Sequence, residues 1–233
     1  MAPLSKGAGL SAAQLEFFHR EGFLVLPDLL PSSVTDALAA EIDAFLERKA
    51  AEEMAAGRLG SADVARLSRL PFDERAARLC ALLGEPPAHM PPTLAAVSSK
   101  SHTTKGMHAL MTAPEILEVV SSVLGEEILV HPQFNMRGML PETQGVIWHQ
   151  DLAFLEPEAE PTPFANFWIP LSPIRTISSR GDGATNGALM VVPRSHNLGA
   201  LPHYQQGPPV APYSQVTLDL AACHEVACAS RPA

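Results

Sequence analysis

The chain is short of basic charge. Its 16 Lys and Arg face 25 Asp and Glu, a formal net charge of −9, and no cluster of Lys or Arg stands out. An acidic chain without a basic stripe is a poor match for nucleic acid or an anionic membrane, so neither is expected as a partner. Cysteine is also scarce. Three residues, an odd number, argue against a disulfide framework and for a reducing compartment. No apolar run approaches the roughly 18 residues of a membrane span. The opening "MAPLSKGAGLSAAQLEFFHREGF" lacks the apolar stretch of a secretory signal and the Arg-rich character of a transit peptide. The expected location is therefore intracellular, in the cytoplasm, with organelle targeting left open. There is no G-x-S-x-G elbow of a serine hydrolase, no internal repeat and no low-complexity tract.

What is present is a globular composition. Hydrophobic residues make up 46% and charged residues 18% of 233 positions, enough for one domain with a real core. The 22 prolines fit many turns and irregular connections. The pattern predicts a single domain over 1–233, mainly helical over 10–125 and built of strands over 126–233. Ser11 and Gln14 form a capping box for a first helix that stops at Gly22. "FLVLP" (23–27) reads as a short buried strand. "SVTD" (33–36) reads as a second capping box, and Val34, Leu38, Ile42, Phe45 and Leu46 follow at helical spacing. A further helical stretch over 63–83 breaks near Pro71 and ends at Gly84. "SSKSHTTKGMHALM" (98–111) shows no clear period and is the kind of polar stretch that overlies a binding site. Thr112 caps a helix with Glu115 at its third position and Gly125 as its stop. Beyond it, "EILVHPQFNMRG", "GVIWHQDLAFL", "FANFWIPLSPI" and "GALMVVP" read as strands. Helices first and strands afterwards predict an α+β fold or a helix-flanked β-sandwich.

Within the second of those strands, "VIWHQDLAFL" carries His149 and Asp151. Nine histidines and 25 acids in 233 residues produce about one His-x-acid match by chance, and His19-Arg20-Glu21 is such a match at a helix end. Context separates the two. Residues i and i+2 of a strand share a face, so His149 and Asp151 project together, with Trp148, Gln150 and Leu152 on the opposite side. On a helix the same spacing diverges by about 200°. An imidazole and a carboxylate on one face supply two of the three donors of a 2-His-1-carboxylate facial triad, which leaves half of an Fe(II) ion open to cosubstrate and O₂. The other reading is a hydrogen-bonded pair on a half-exposed strand.

Three further stretches bear on the choice: "LSAAQLEFFHREGFLVLPDLLPSSVTDALAAEID", "ILEVVSSVLGEEILV", and the series "WHQDLAF", "FANFWIPLSPI", "NGALMVVPRSHNLGALPHY". In this order they resemble the phytanoyl-CoA dioxygenase family. Its members are Fe(II)- and 2-oxoglutarate-dependent oxygenases on a double-stranded β-helix, or jelly-roll, core. The likeness covers most of residues 10–205, and 51–105 is the least typical part. It implies that His149 and Asp151 are iron ligands and catalytic residues. It also puts Gln133, Asn135 and Arg137, which alternation sets on one face, near the cosubstrate; an ordinary solvated strand face is the competing account of that trio. Trp168 falls on the family's aromatic-bearing strand, as a core or surface residue ahead of one that packs beside the pocket. His196, in "PRSH", matches a turn position rather than a ligand. Arg194 stands where the family usually has glycine, a strained placement if the turn needs a positive φ.

The resemblance also implies a second histidine ligand in a pattern like H-x-S-x-x-N-x-S, then an Arg that grips the far carboxylate of 2-oxoglutarate. Neither pattern follows Tyr204. His224 and Arg231 are poor stand-ins, and the expectation is a chain truncated before the last core strands. A zinc site at Cys223, His224 and Cys228 offers three ligands but no second pair. The functional expectation is an oxygenase that uses Fe(II), 2-oxoglutarate and O₂, with ascorbate as a supporting reductant, to hydroxylate a C–H bond of a small organic or acyl substrate. The alternative is a fold relative or truncated product without turnover that only binds a ligand or partner. Oligomeric state has no signal in the sequence.

Overall fold

The structure, a computed structural model, describes residues 9–85, 90–131, 136, 148–151, 163–174, 187–199 and 201, and the backbone of 203–206, 213–216 and 224–225. The first helix, α1, runs Ala12–Glu21 and starts as its sequence dictates. Ser11 Oγ accepts from the Gln14 backbone N–H, and Gln14 Oε1 accepts from the Ser11 N–H at 2.9 Å. Gly22 ends the helix at φ 82°, a conformation that costs glycine little. The stretch 23–27 is half-buried but forms no ladder among the described residues, so the expected strand is replaced by irregular chain. It leads through Asp28, at φ 54°, into α2, Ser32–Ala55. The anticipated cap at 33–36 is not used. Pro31, at φ −58°, presets the helical start two residues earlier, and Thr35 Oγ1 instead donates back to the Ser32 carbonyl at 3.1 Å.

α2 is the axis of the helical half. It buries Leu38, Ile42, Leu46, Ala50 and Glu53 along one face, each buried Leu or Ile contributing about 1.5–3 kcal/mol. Around it pack α3 (Ser61–Leu67), α4 (Phe72–Leu82), α5 (Pro92–Ser101) and α6 (Lys105–Met111). Pro71 sits at the start of α4, and Gly84 lies just past its end at φ 65°. The stretch 98–111, aperiodic in sequence, is the end of α5 followed by α6. Its period is hidden because Ser98 and Ser101 are themselves buried, with Ser101 Oγ satisfied by the Ser98 carbonyl at 2.8 Å. Both helices pack on α2.

α7 (Pro114–Leu124) closes this half and ends at Gly125, φ 95°. Thr112 does not cap it: its hydroxyl donates to the His108 carbonyl at 2.8 Å, serving the end of α6. Lys105–Leu124 has the length and mean hydropathy, 1.2, of a membrane span. It is nevertheless two helices, whose Met107, Leu110, Ile116, Val119 and Val120 are buried in the protein.

From the second half, Ile128, Met136, Ile169 and Leu171 pack against the same core. Strands here are short: β1 Met190–Val191, β2 His203–Gln206, β3 Tyr213–Val216 and β4 His224–Glu225. β1 pairs antiparallel with β4, and β2 with β3, in two separate sheets. Of the strands expected from sequence, 187–193 supplies β1. The described parts of the others, 127–131, 136, 148–151 and 164–174, carry no ladder. A ladder needs a partner, and the stretches flanking 148–151 lie outside the described residues.

Candidate metal centre

Residues 148–151 form a bend and the start of a turn, not a paired strand, and the side chains of His149 and Asp151 meet. His149 Nε2 lies 3.1 Å from Asp151 Oδ1, with the two side chains 21% and 51% exposed. Asp151 Oδ2 accepts from the side-chain amide of Asn166. Gln150 leaves the other way: its Nε2 donates to the Gly199 carbonyl at 2.9 Å, and its Oε1 accepts from the Leu201 N–H at 2.7 Å. Asn166 is held because Ile169 and Leu171, just beyond it, dock on the helical core. Trp168, on the same stretch, lies at the surface, 38% exposed.

The chain that meets Gln150 is itself anchored. Arg194 adopts φ 66°, the left-handed conformation that an L side chain resists, so the strain anticipated for an arginine there is real. Arg194 spends its side chain on α1: Nε and Nη2 reach the two carboxylate oxygens of Glu21 at 3.0 and 3.3 Å, and its backbone N–H donates to the Glu21 carbonyl at 2.8 Å. Arg194, and after it Arg20, hold the Glu21 carboxyl below the usual carboxylate range. His196, in the 3-10 turn Ser195–Leu198, sets its Nε2 2.9 Å from the His19 carbonyl. Both cationic or polar groups meet the C-terminal, negative end of α1. Gly22 is needed twice, since a Cβ there would fall 2.2 Å from His196 Nδ1. The chance match His19-x-Glu21 is thus a docking point, not a metal pair.

The donor chemistry of His149 and Asp151 fits two legs of an iron site. Two donors about 2.1 Å from one ion and at right angles to each other are about 3.0 Å apart, close to the 3.1 Å seen. The same spacing suits a direct N–H···O bond when Nε2 carries the proton. Among the described residues no group of three or more His, Cys, Asp or Glu converges. Gln133, Asn135, Arg137, Cys223, Cys228 and Arg231 lie outside the described residues. His224 is described in its backbone alone, which pairs with Val191 across β1 and β4.

A family model, Phytanoyl-CoA dioxygenase (PhyH), matches residues 18–215, a span that includes the donor pair, Asn166 and the Arg194 turn. The chain belongs to the phytanoyl-CoA dioxygenase family. No curated protein and no solved structure matched it. Phytanoyl-CoA dioxygenases are in general Fe(II)- and 2-oxoglutarate-dependent oxygenases of small molecules. Asn166 and Gln150 are the site residues that sequence patterns missed. The available signal was slight: an isolated polar residue inside the apolar run "FANFWIPL", and a polar residue between two donors.

Proposed function

We propose that this phytanoyl-CoA dioxygenase family member is an Fe(II)- and 2-oxoglutarate-dependent hydroxylase of a small organic or acyl substrate. The observation that carries the reading is the convergence of His149 and Asp151 at 3.1 Å, inside the family-matched span. Fe(II) with 2-oxoglutarate and O₂ supplies the chemistry: one oxygen atom enters a substrate C–H bond, the other enters succinate, and CO₂ leaves. His149 and Asp151 would hold that ion through an imidazole nitrogen and a carboxylate oxygen. The Asn166 amide occupies one carboxylate oxygen, so the other faces the imidazole. The 2-oxoglutarate contacts are assigned to Gln133, Asn135 and Arg137, which lie outside the described residues.

The core is proposed to be a double-stranded β-helix. What supports this is the nesting of the strands: the β2–β3 hairpin lies in sequence between the two members of the β1–β4 pair, and the pairs fall in different sheets. Jelly rolls are built by such nesting of antiparallel pairs in two sheets.

The test is succinate formation by purified chain with Fe(II), ascorbate and 2-oxoglutarate. Turnover is expected, even uncoupled from substrate, and should vanish in His149→Ala and Asp151→Ala. No turnover together with no metal binding would leave the other reading, a hydrogen-bonded His149–Asp151 pair in a family member that binds without catalysis.

A further inference from the structure

Gln150 sits between the two donors and is occupied elsewhere. Its amide donates to the Gly199 carbonyl at 2.9 Å and accepts from the Leu201 N–H at 2.7 Å. A primary amide is the neutral side chain that donates and accepts from one planar end, and here it completes a backbone-like pair. The orientation of the amide follows from its partners, because a carbonyl only accepts. The segment it grips begins at the turn that Arg194 and His196 fasten to the end of α1. The start of α1 is tied in turn to α7, where the Leu10 N–H donates to Ser122 Oγ at 2.9 Å. A continuous path of hydrogen bonds and chain thus runs from the helical half to the peptide units on either side of Gln150, the units that carry His149 and Asp151.

We propose that Gln150 is a positioning residue for the His149–Asp151 pair, fixing the backbone of both donors against Gly199 and Leu201, beyond the turn that α1 anchors. The inference rests on the metal-site reading above and adds to it a residue that touches neither the ion nor substrate. Its reach is set by geometry. Two donors must hold a common point to within a few tenths of an ångström to bind a small hard cation well, and a bend outside any described ladder does not hold them unaided. Residues that orient ligands from behind typically change metal affinity 10–100-fold when lost.

The test is Co(II) binding to the full chain, read by calorimetry and by the visible absorption of the bound ion, with thermal melting alongside. Wild type is expected to bind, and His149→Ala to lose binding. Gln150→Leu, of similar size but without donor or acceptor, should bind 10–100-fold more weakly with its metal-free melting temperature nearly unchanged. Should Gln150→Leu fail to fold, Gln150→Glu, which keeps the acceptor for Leu201 and loses the donor to Gly199, should still bind measurably more weakly than wild type. Wild-type affinity in whichever variant folds, or a lowered melting temperature with affinity intact, overturns the positioning role. Absence of Co(II) binding in wild type, or binding undiminished in His149→Ala, overturns the metal-site reading first and the role of Gln150 with it.

Discussion

Gly106→Ala should destabilise the protein, although helix propensity alone says the reverse. Alanine is better than glycine in a helix interior by about 1 kcal/mol. Gly106 is the second residue of α6, where the gain is smaller because the first turn lacks most intrahelical bonds. Against it stands α2. A Cβ at Gly106 would lie 2.8 Å from Leu38 Cα and 3.0 Å from Leu38 N, where ordinary contact begins at 3.4 Å. The obstacle is helix backbone around Leu38, 1% exposed, so relief requires α6 to move away. Movement withdraws Met107 and Leu110, both buried, and stretches the bond from the Gly106 N–H to Glu41 Oε2, now 2.8 Å. Overpacking of this kind costs about 1–3 kcal/mol, and a strained hydrogen bond adds about 1 kcal/mol. The net expectation is a loss of about 1–3 kcal/mol, a fall in melting temperature of roughly 2–4 °C per kcal/mol for a chain of this size.

Far-UV circular dichroism in urea and on heating measures it. Glu41 Oε2 would also lie 2.6 Å from the new Cβ, but a side chain can swing aside. Most of the cost should therefore persist in a Glu41→Ala background. A Gly106→Ala variant as stable as wild type, or one fully rescued by Glu41→Ala, would refute the argument from α2 backbone.

Three other outcomes are expected. Asn166→Leu removes the amide that Asp151 Oδ2 accepts from; because Asp151 is half-exposed, water replaces part of that bond, so Co(II) affinity should fall by about tenfold, the low end of the range for such partners, and unchanged affinity would contradict the assignment. Glu53 is buried between Arg58 and Lys49, which lower its pKa from 4.5 to about 2; a lowered pKa stabilises above the unfolded value and is lost as pH falls through the folded one, so the gap in urea midpoint between wild type and Glu53→Gln should be full above pH 4.5 and shrink towards pH 2. Cys80 is 3% exposed, and burial, then the neighbouring Glu85, pushes its thiol up to about 12; in a Cys223→Ser, Cys228→Ser background it should stay inert to a disulfide reagent at pH 8 until urea unfolds the chain.

The helices were legible where their determinants are local. Ser11 with Gln14, the stops at Gly22 and Gly125, and the buried series Leu38, Ile42 and Leu46 each depend on residues within a few turns. They misled where one local signal outweighed another. Pro31 fixed the start of α2 ahead of the capping box at 33–36, and buried Ser98 and Ser101 erased the apolar period of α5. Small hydroxyls that bond to their own helix can be buried at little cost, so hydropathy underestimates such faces.

The site divides along the same line. His149 and Asp151 were legible as a pair because only Gln150 separates them, and their meeting needs only a locally extended chain. The groups that hold them are 15 residues away at Asn166, 49 and 51 at Gly199 and Leu201, and for the anchor behind those, 173 between Glu21 and Arg194. Nothing in a window of sequence encodes such contacts; they follow from the fold. An arginine in place of a turn glycine was a visible irregularity, and it proves to be one of the two residues that fasten the turn to α1. The backbone strain at Arg194 and the ion pair with Glu21 therefore belong to one device. A glycine there would relax φ but lose the ion pair with Glu21, leaving the turn held to α1 by its backbone N–H and His196 and loosening the segment that Gln150 grips. On this view the departure from the family pattern serves the donor pair that the pattern first suggested.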